Sequence, residues 1–383
     1  MKVLRRVAGS AIRLGRRMVG DASASGERPV TGETIDFGDP AVARNPFPFY
    51  ELLRRQGSVH FLARHGAWIV LGYDDVQAAF RQPGVFSNRP YADIDAILLG
   101  ADPPAHAHVR RIVARHLSAE AMMTLDHFVA ERAAALLAPH LDLVASFSRP
   151  LTDAMAGRLM GLPDEAVDAI RAAATRNPET IAFVRALDEI VAHADIYRSF
   201  VGEGMTDAEA RSLARLLWLA ATTTTARVIA SSMLHLVKDA ALAENLRRND
   251  TFVAPFVEEV LRLHPPELMV PRETTAAAEL GGRHIPAGAL VHLCVGAANR
   301  DPAKFERPAE LQIDRGPVRH FAFGYGIHHC VGAALGRRTI ETAVRAVLAY
   351  APALRAAEPL DSVVTWCSMT ANPVGRLRVE FTA

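Results

Sequence analysis

The sequence predicts a mainly α protein of the α+β class, in which small β-sheets accompany a helical majority. Half of its 383 residues are apolar, which is enough to bury a large core, and 22% are charged. Helical periodicity dominates from position 118 onward, and short β-type runs are confined mainly to positions 58–71 and 270–293. Helical segments therefore outnumber strands.

Composition excludes several classes of protein. The 43 basic and 42 acidic residues leave a formal charge of +1, which argues against a protein that coats nucleic acid. No run approaches the roughly 18 uninterrupted apolar residues of a transmembrane helix. Cys294, Cys330 and Cys367 have no paired spacing, which argues against a disulfide framework. We therefore expect a cytoplasmic protein without a transmembrane segment and without a nucleic-acid partner.

The chain divides into a basic N-terminal arm with its linker, residues 1–34, and one domain, residues 35–383. The first twenty residues hold six basic side chains and no acid, and a polar segment follows from Asp21 to Thr34. Val3, Val7, Leu14 and Met18 lie at roughly helical spacing in the arm. Docking to an anionic membrane surface or an acidic partner and packing against its own domain both remain open.

The first elements of the domain are a hairpin and two helical regions. Ser58–Leu62 and Trp68–Leu71 are predicted to pair across a turn, and Tyr73–Arg81 to form a helix. Helical periodicity dominates from Ser118 to Met160, and Gly161–Pro163 ends it.

Three helices are predicted next. They are Asp164–Thr175, Glu179–Phe200 and a long helix that begins at Thr206–Asp207 and ends at about Lys238. The long helix has about 30 residues and therefore a length of about 45 Å, which crosses a whole domain.

The last third predicts two helices that flank short strands. The helices are Phe252–Leu263, which Pro265–Pro266 ends, and Val331 to about Tyr350. The strands lie around Val270, at Ala276–Leu280, at His284–Ile285 and at Ala289–Leu293.

The segment from Phe321 to Gly332 is the most informative part of the chain. It is a glycine-loosened loop that delivers Cys330 to the N-terminus of a helix, where unpaired N–H groups and the helix dipole are expected to lower the thiol pKa. A thiolate there is a strong ligand for iron, and Phe323 is placed to shield it from water. A zinc site that begins with His328, His329 and Cys330 is the alternative, but no second ligand pair at finger spacing exists.

This loop resembles the haem-ligand signature of the cytochrome P450 family, the haem-thiolate monooxygenases, and the similarity extends from about Asp36 to the C-terminus. The resemblance implies a triangular helical domain with small β-sheets. It also implies haem b, with Cys330 as the axial thiolate ligand and Phe323 and His328 beside the group.

Three further segments match the family in the same order. Glu259 and Arg262 are similar to its Glu-x-x-Arg pair, and residues three apart on a helix can share an ion pair. His106 and Arg110, four apart on a helix, and Arg272 match positions that contact the haem propionates, as does His328. A solvated basic face is the ordinary interpretation of His106 and Arg110 taken alone.

The long helix departs from the family pattern. Ala221 replaces a glycine, Thr223 stands where an acid is expected, and Thr224 matches the alcohol. In the family the alcohol handles oxygen and the acid helps to bring protons. A hydroxyl relays a proton but holds no charge at neutral pH, so proton delivery must differ. Alternatively, these threonines bond to carbonyl groups four residues earlier and bend the helix.

The resemblance implies oxidation of an organic substrate with O₂ and electrons from a ferredoxin and ferredoxin reductase, in a bacterial pathway of secondary metabolism. Hydroxylation is favoured over desaturation or oxidative coupling. The alternative is a haem-binding docking or recruitment module with impaired oxygen activation. A basic face for an acidic ferredoxin is predicted at Arg111, Arg115, Arg337 and Arg338, with ordinary solvated arginines as the alternative.

Substrate size is inferred from the segments over the site. The 43 positions from Pro163 to Thr206 are predicted to hold only two helices, and Arg89–Asp102 is also brief. A short lid favours a bulky substrate, either a peptide or a group tethered to a carrier protein. Alternatively, the second helix lies across the opening and a small molecule binds. The predicted pocket lining is Ile94–Leu99, Leu217–Thr224, Leu268–Val270 and Ser368–Thr370.

Overall fold

The computed structural model describes residues 31–176, 181–317, 319–350, 353–360, 371 and 374–382. The predicted arm and linker over residues 1–34 lie outside these ranges except for the last four residues, and so does the predicted lining segment Ser368–Thr370.

Helices dominate the described residues, which confirms the mainly α prediction. They are α1 Pro40–Arg44, α2 Phe47–Arg54, α3 Tyr73–Phe80, α4 Ala105–Arg115, α5 Ala119–Leu136, α6 Arg149–Met160, α7 Asp164–Arg176, α8 Ile181–Val191, α9 Asp195–Gly202, α10 Asp207–Leu219, α11 Thr225–Lys238, α12 Ala240–Arg248, α13 Val253–Leu263, α14 Val295–Ala298 and α15 Ala333–Tyr350.

The strands form three small sheets, ordered β1-β2-β8-β5-β3, β4-β10-β9 and β6-β7. Only β2 and β8 pair in parallel within the described ranges. The strands are β1 Val59–Leu62, β2 Ala67–Val70, β3 Phe86–Ser87, β4 His140–Asp142, β5 Val270–Thr274, β6 Ala278–Leu280, β7 Arg283–Ile285, β8 Leu290–Leu293, β9 Ala353–Ala356 and β10 Arg378–Thr382.

The predicted long helix is confirmed from Thr206 to Lys238. Its start is a capping box, in which the Glu209 N–H donates to the Thr206 hydroxyl and the Glu209 carboxylate accepts from the Thr206 N–H at 2.9 Å. A π-helical turn, Ala220–Thr224, joins α10 to α11. Ala221 in this turn packs against both of the largest hydrophobic clusters, so the turn lies where these two parts of the core meet.

The prediction that helical periodicity dominates from Ser118 to Met160 is incomplete, because β4 and a π-helical turn, Leu143–Ser148, separate α5 from α6. The carboxylate of Asp142 accepts the N–H groups of Val144 and Ala145, which caps the turn. β4 pairs with β10 from the distant C-terminus. A contact so remote in sequence leaves no periodic signal at this position.

The predicted single helix from Glu179 to Phe200 is also wrong, because it is divided into α8 and α9. Ala194 is extended and precedes α9, and the Arg198 guanidinium donates to the His193 carbonyl at 2.8 Å. Neither glycine nor proline marks this break. In the described part of the interval between Pro163 and Thr206 there are therefore three helices rather than two.

A buried ion pair connects α13 to the segment before the cysteine loop. Arg262 is fully buried, and its guanidinium bonds both carboxylate oxygens of Glu259 at 2.7 and 2.9 Å. The same guanidinium donates to the carbonyl groups of Asn299, Pro308 and Glu310. The network satisfies both charges and fixes the chain that follows β8.

We expect Arg262→Met to lower the free energy of unfolding by about 3–5 kcal/mol, because it leaves the Glu259 carboxylate buried without its main partner. Chemical denaturation measures this effect. Arg248→Met is the control, because Arg248 is exposed and pairs with Glu244, and such pairs contribute about 0–1 kcal/mol. Equal losses in the two variants would contradict the structural role of the buried pair.

Candidate functional site

The cysteine loop is closed by backbone hydrogen bonds. The Cys330 N–H donates to the Phe323 carbonyl at 2.8 Å, and the Gly324 N–H donates to the Phe321 carbonyl at 2.9 Å. The loop is anchored where the Phe321 N–H donates to the Asn299 side chain at 2.8 Å. Since Arg262 holds the carbonyl of Asn299, the buried ion pair and the cysteine loop belong to one connected structure.

Glycine is required at Gly326. Its φ of 72° is in the left-handed region, and a Cβ there would lie 2.7 Å from the Phe80 carbonyl oxygen. A side chain at this position would push the loop away from α3.

The expectation that the pKa of Cys330 is lowered is wrong. Burial raises the pKa of this thiol, and the Gly332 N–H, Arg110 and Arg337 oppose that effect without overcoming it. Moreover, α15 begins at Ala333, so the cysteine precedes the first turn of the helix. The side chain of Cys330 is nevertheless exposed, although protein surrounds it on most sides.

Phe323 is held between the loop and α15. The Arg337 guanidinium lies 4.3 Å from the centre of its ring, and a Cβ on Gly336 would lie 3.6 Å from the ring. Arg337 is in turn bonded to Glu258 at 2.6 Å. The aromatic ring therefore has a defined position, and the backbone carbonyl of the same residue accepts the Cys330 N–H.

The predicted basic residues His106, Arg110, Arg272 and His328 form one cluster. The rings of His106 and His328 have centres 4.2 Å apart, and both residues are affected electrostatically by Arg110. Arg272 is buried, with its guanidinium 5.3 Å from the centre of the Phe80 ring. Strand β5, helix α4 and the cysteine loop thus bring together residues far apart in sequence.

The cluster has more hydrogen-bond donors than acceptors. Burial lowers the pKa of His328 to about 3, with smaller contributions from His106 and Arg272, and it also lowers the pKa of Arg272. In the described chain, the buried Nε2 of His328 has no hydrogen-bond partner. Asp102 is the acid whose charge acts on the cluster, and it already accepts from Ser87 and the Asn88 N–H.

The threonine turn is partly self-bonded. The Thr224 hydroxyl donates to the Ala220 carbonyl at 2.7 Å, and the Thr222 hydroxyl donates to the Trp218 carbonyl at 2.9 Å. These are the bonds to carbonyl groups four residues earlier that the alternative interpretation predicted. Thr223 is exposed, and its hydroxyl has no hydrogen-bond partner within the described ranges.

Two carboxylates that the sequence analysis missed hold the segments around α10. Asp95 accepts the N–H groups of Leu98 and Leu99, and its second oxygen accepts from Ser212 at 3.1 Å. Asp188 on α8 accepts from Arg215 on α10. Polar residues in loops and on helix faces are common, so only the fold identifies these two as anchors.

Glu258, also missed, joins three elements around the loop. It bonds His320 at 3.1 Å and Arg337 at 2.6 Å. Burial alone would raise its pKa, but these two partners outweigh burial and lower the pKa to about 2. Its neighbour Glu259 matched a motif and Glu258 did not, so the sequence offered no signal for it.

The predicted basic face is largely neutralised. Arg115 pairs with Glu203, Arg337 with Glu258 and Arg338 with Asp126. Of the four predicted arginines, these three therefore do not form an unpaired positive surface. The basic face for a ferredoxin stays a prediction, and each of these three charges is paired with a carboxylate that is distant in sequence.

Comparisons with known proteins identify the family. A family model described as Cytochrome P450 matches residues 186–350. The cytochrome P450 monooxygenase PikC of Streptomyces venezuelae is 30% identical over 354 residues, which cover 82% of this chain and 85% of PikC. The chain belongs to the cytochrome P450 family. It is therefore a monooxygenase.

Within the described ranges, no helix is long and apolar enough to cross a membrane.

Solved structures of cytochromes P450 share the fold. The structure of CYP109E1 from Bacillus megaterium in complex with testosterone has a TM-score of 0.81 and 25% identity, and it covers 90% of this chain and 99% of that one. The structure of P450BioI in complex with an acyl carrier protein ligated to hexadec-9Z-enoic acid has a TM-score of 0.78 and 24% identity, covering 89% and 100%. At 24% identity, the similarity to P450BioI is evidence for a shared fold only.

The described residues fit the haem that this family uses. Haem has two carboxylates and an iron that accepts a thiolate. Cys330 offers an exposed sulfur, while Arg272 and the unpartnered Nε2 of His328 offer donors that form no ion pair with any acid in the described ranges. Within the described residues, no group of three or more His, Cys, Asp or Glu side chains is placed to hold a metal ion, so the zinc alternative gains no support.

We expect Glu258→Gln to lower stability at neutral pH by on the order of 2 kcal/mol, as measured by denaturation across a pH series. A carboxylate with a depressed pKa stabilises the fold above its unfolded pKa of about 4.5, and this stabilisation is lost as pH falls toward about 2. The gap between wild type and variant should therefore close in acid. A gap of constant size at all pH values would contradict the ion-pair role.

Proposed function

We propose that Cys330 is the axial ligand of haem b in this enzyme. The observation that carries the proposal is a thiol that is exposed at the end of a loop closed by its own N–H, beside a donor cluster that forms no ion pair with an acid among the described residues. When bound, haem supplies the redox chemistry that activates O₂ with electrons from a donor protein.

We propose that His106, Arg110, Arg272 and His328 hold the two carboxylates of haem. Arginine donates bidentately and stays charged, and the buried side chain of Arg272 already has its position fixed over Phe80. Phe323, packed between Arg337 and Gly336, keeps water from the sulfur. The pair of Glu259 and Arg262 is structural, because it holds the backbone that carries this loop.

We propose hydroxylation as the reaction, with electrons from a ferredoxin and its reductase. The Thr224 hydroxyl donates to Ala220, so its lone pairs remain able to accept a hydrogen bond. The Thr223 hydroxyl is exposed and free to relay a proton. The buried free thiol of Cys294 is consistent with a reducing compartment, and we propose the cytoplasm.

We propose a bulky substrate, a peptide or a group carried by another protein. The described part of the interval from Pro163 to Thr206 holds three helices rather than two, and Arg215 of α10 donates to Asp188 of α8. Both findings weaken the argument for an open lid. The remaining support is the shortness of the lid helices, with 13 residues in α7, 11 in α8 and 8 in α9. P450BioI, which shares the fold, has been crystallised with a loaded acyl carrier protein, and this supports the proposal.

We expect the reduced protein to absorb at about 450 nm with carbon monoxide, because a thiolate ligand gives this band. Cys330→His should abolish the band. Cys294→Ser is the matched control, since Cys294 is buried beside Tyr50 rather than at the loop, and this variant should keep the band. Survival of the band in Cys330→His would exclude Cys330 as the ligand.

The alternative function is a docking or recruitment module with impaired oxygen activation. Both functions predict the carbon monoxide band, and only the enzyme predicts an oxygenated product when donor protein and substrate are supplied. Product formation detected by mass spectrometry therefore decides between them.

Substrate size is tested by titrating the haem spectrum with two forms of one compound, free and tethered to a peptide or carrier. A bulky-substrate site is expected to respond at a concentration about tenfold lower to the tethered form, because the body of the partner adds contact area. An equal or tighter response to the free compound, together with turnover, would refute the proposal.

A further inference from the structure

Arg227 lies on the same helix face as the exposed residues of the threonine turn, Ala220–Thr224. Ala220, Thr223 and Thr224 are at least partly exposed, and Arg227 follows Thr223 by four residues and Thr224 by three. Residues at these spacings are neighbours on a helix surface, with Cβ atoms roughly 5–6 Å apart. The guanidinium therefore begins one turn beyond the hydroxyl groups.

Arg227 holds a carboxylate against this face. Its Nη1 donates to Oε1 of Glu267 at 2.6 Å and to the carbonyl of Pro266 at 3.2 Å. Glu267 belongs to the loop between α13 and β5, next to the buried Leu268 and Met269. The Glu267 side chain is 41% exposed, and in the described chain its second oxygen accepts no hydrogen bond. One oxygen is thus clamped and the other is available.

Glu267 also lies near the donor cluster. Both Glu267 and Arg272 act electrostatically on the half-buried Tyr91, so Tyr91 lies within range of both. Partial burial raises the pKa of Glu267 above its ordinary value, and Arg227 opposes this by charge and hydrogen bonding. The charged and titratable groups that face Glu267 are therefore Arg227 from α11 and Tyr91 from the loop after β3.

We propose that Glu267 supplies protons on this side of the site, acting through the Thr223 hydroxyl, with Arg227 as the residue that positions it. The proposal rests on the proposed hydroxylation with haem at Cys330. The carboxyl group that is missing at Thr223 is replaced by one that reaches the same helix face from the facing loop. A carboxyl group holds a proton near its pKa, which a hydroxyl alone does not do.

The proton balance is closed by solvent. Hydroxylation of a C–H bond consumes O₂, two electrons from the ferredoxin and two protons, and it yields an alcohol and one water. The two side chains share no direct hydrogen bond, so the proton of Glu267 reaches the Thr223 oxygen through solvent at this exposed face. Thr223 passes its own proton onward, and the Glu267 carboxylate is then reprotonated from water. Glu267 returns to its initial state in each cycle.

The test compares Glu267→Gln with Glu279→Gln in the haem-loaded enzyme. Glu279 is exposed and pairs with His284, so the same substitution there controls for loss of an acid. With NADPH, a ferredoxin and its reductase, the O₂ consumption rate of wild type should fall as pH rises through the pKa of Glu267. Glu267→Gln should lose this pH dependence and consume O₂ about 10- to 100-fold more slowly at low pH, whereas Glu279→Gln should match wild type.

Added hydrogen peroxide already carries both electrons and both protons. Peroxide-driven oxidation of guaiacol should therefore differ less than about twofold between Glu267→Gln and wild type. A comparable loss in both assays would indicate general damage to the site and overturn the proposal.

The pH profile of Arg227→Met distinguishes a positioning role for Arg227 from a merely structural role, which would leave that profile unchanged. Without the guanidinium, the pKa of Glu267 should rise further, so the pH at which O₂ consumption falls should shift upward by about one unit. Infrared difference spectra of the same proteins should show the carbonyl band of a protonated carboxyl group titrating over the same pH range. Glu267→Gln should lack this band.

The failures of the two proposals are distinguishable. If no variant and no wild-type protein shows the carbon monoxide band, the proposed function fails. If the band is present in all of them and Glu267→Gln keeps the wild-type rate and pH profile, only the role of Glu267 is overturned. An unmoved profile in Arg227→Met overturns the positioning role of Arg227.

Discussion

The buried ion pair of Glu259 and Arg262 determines where the cysteine can lie. Two opposite charges inside a core are tolerated only when all their hydrogen bonds are made, and here the partners are backbone groups of the chain after β8. Asn299 passes this constraint to Phe321, whose N–H it accepts. The loop then closes on Cys330. A charge pair in α13 thereby positions a thiol whose sequence position is almost 70 residues later.

The electrostatics around this loop are arranged for a ligand with negative charge. Burial lowers the pKa of His328 and Arg272, which is a free-energy cost to the isolated protein whenever those groups are charged. Glu258 behaves in the opposite way, since its partners are already present and its pKa is depressed. His328 and Arg272 are therefore suited to bind a negatively charged ligand, whereas Glu258 stabilises the cysteine loop.

Local signals were sufficient for much of the fold. The hairpin of β1 and β2, the capped start of the long helix at Thr206 and the cysteine loop all rest on residues adjacent in sequence, and each was predicted. The break before α9 was not, because it carries neither glycine nor proline. The roles of Asp95, Glu258 and Glu267 were also missed, since each depends on a partner that only the fold brings near.

We propose that the donor cluster and Cys330 together hold a cofactor with two carboxylates. The most direct test is to titrate the haem-free protein with iron protoporphyrin IX and with its dimethyl ester, which lacks both negative charges and keeps the iron. The diacid should bind at least about tenfold more tightly, and Arg272→Met should reduce that ratio, because charge-assisted hydrogen bonds contribute about 1.5–3 kcal/mol each. Equal affinity for the two forms would contradict the account.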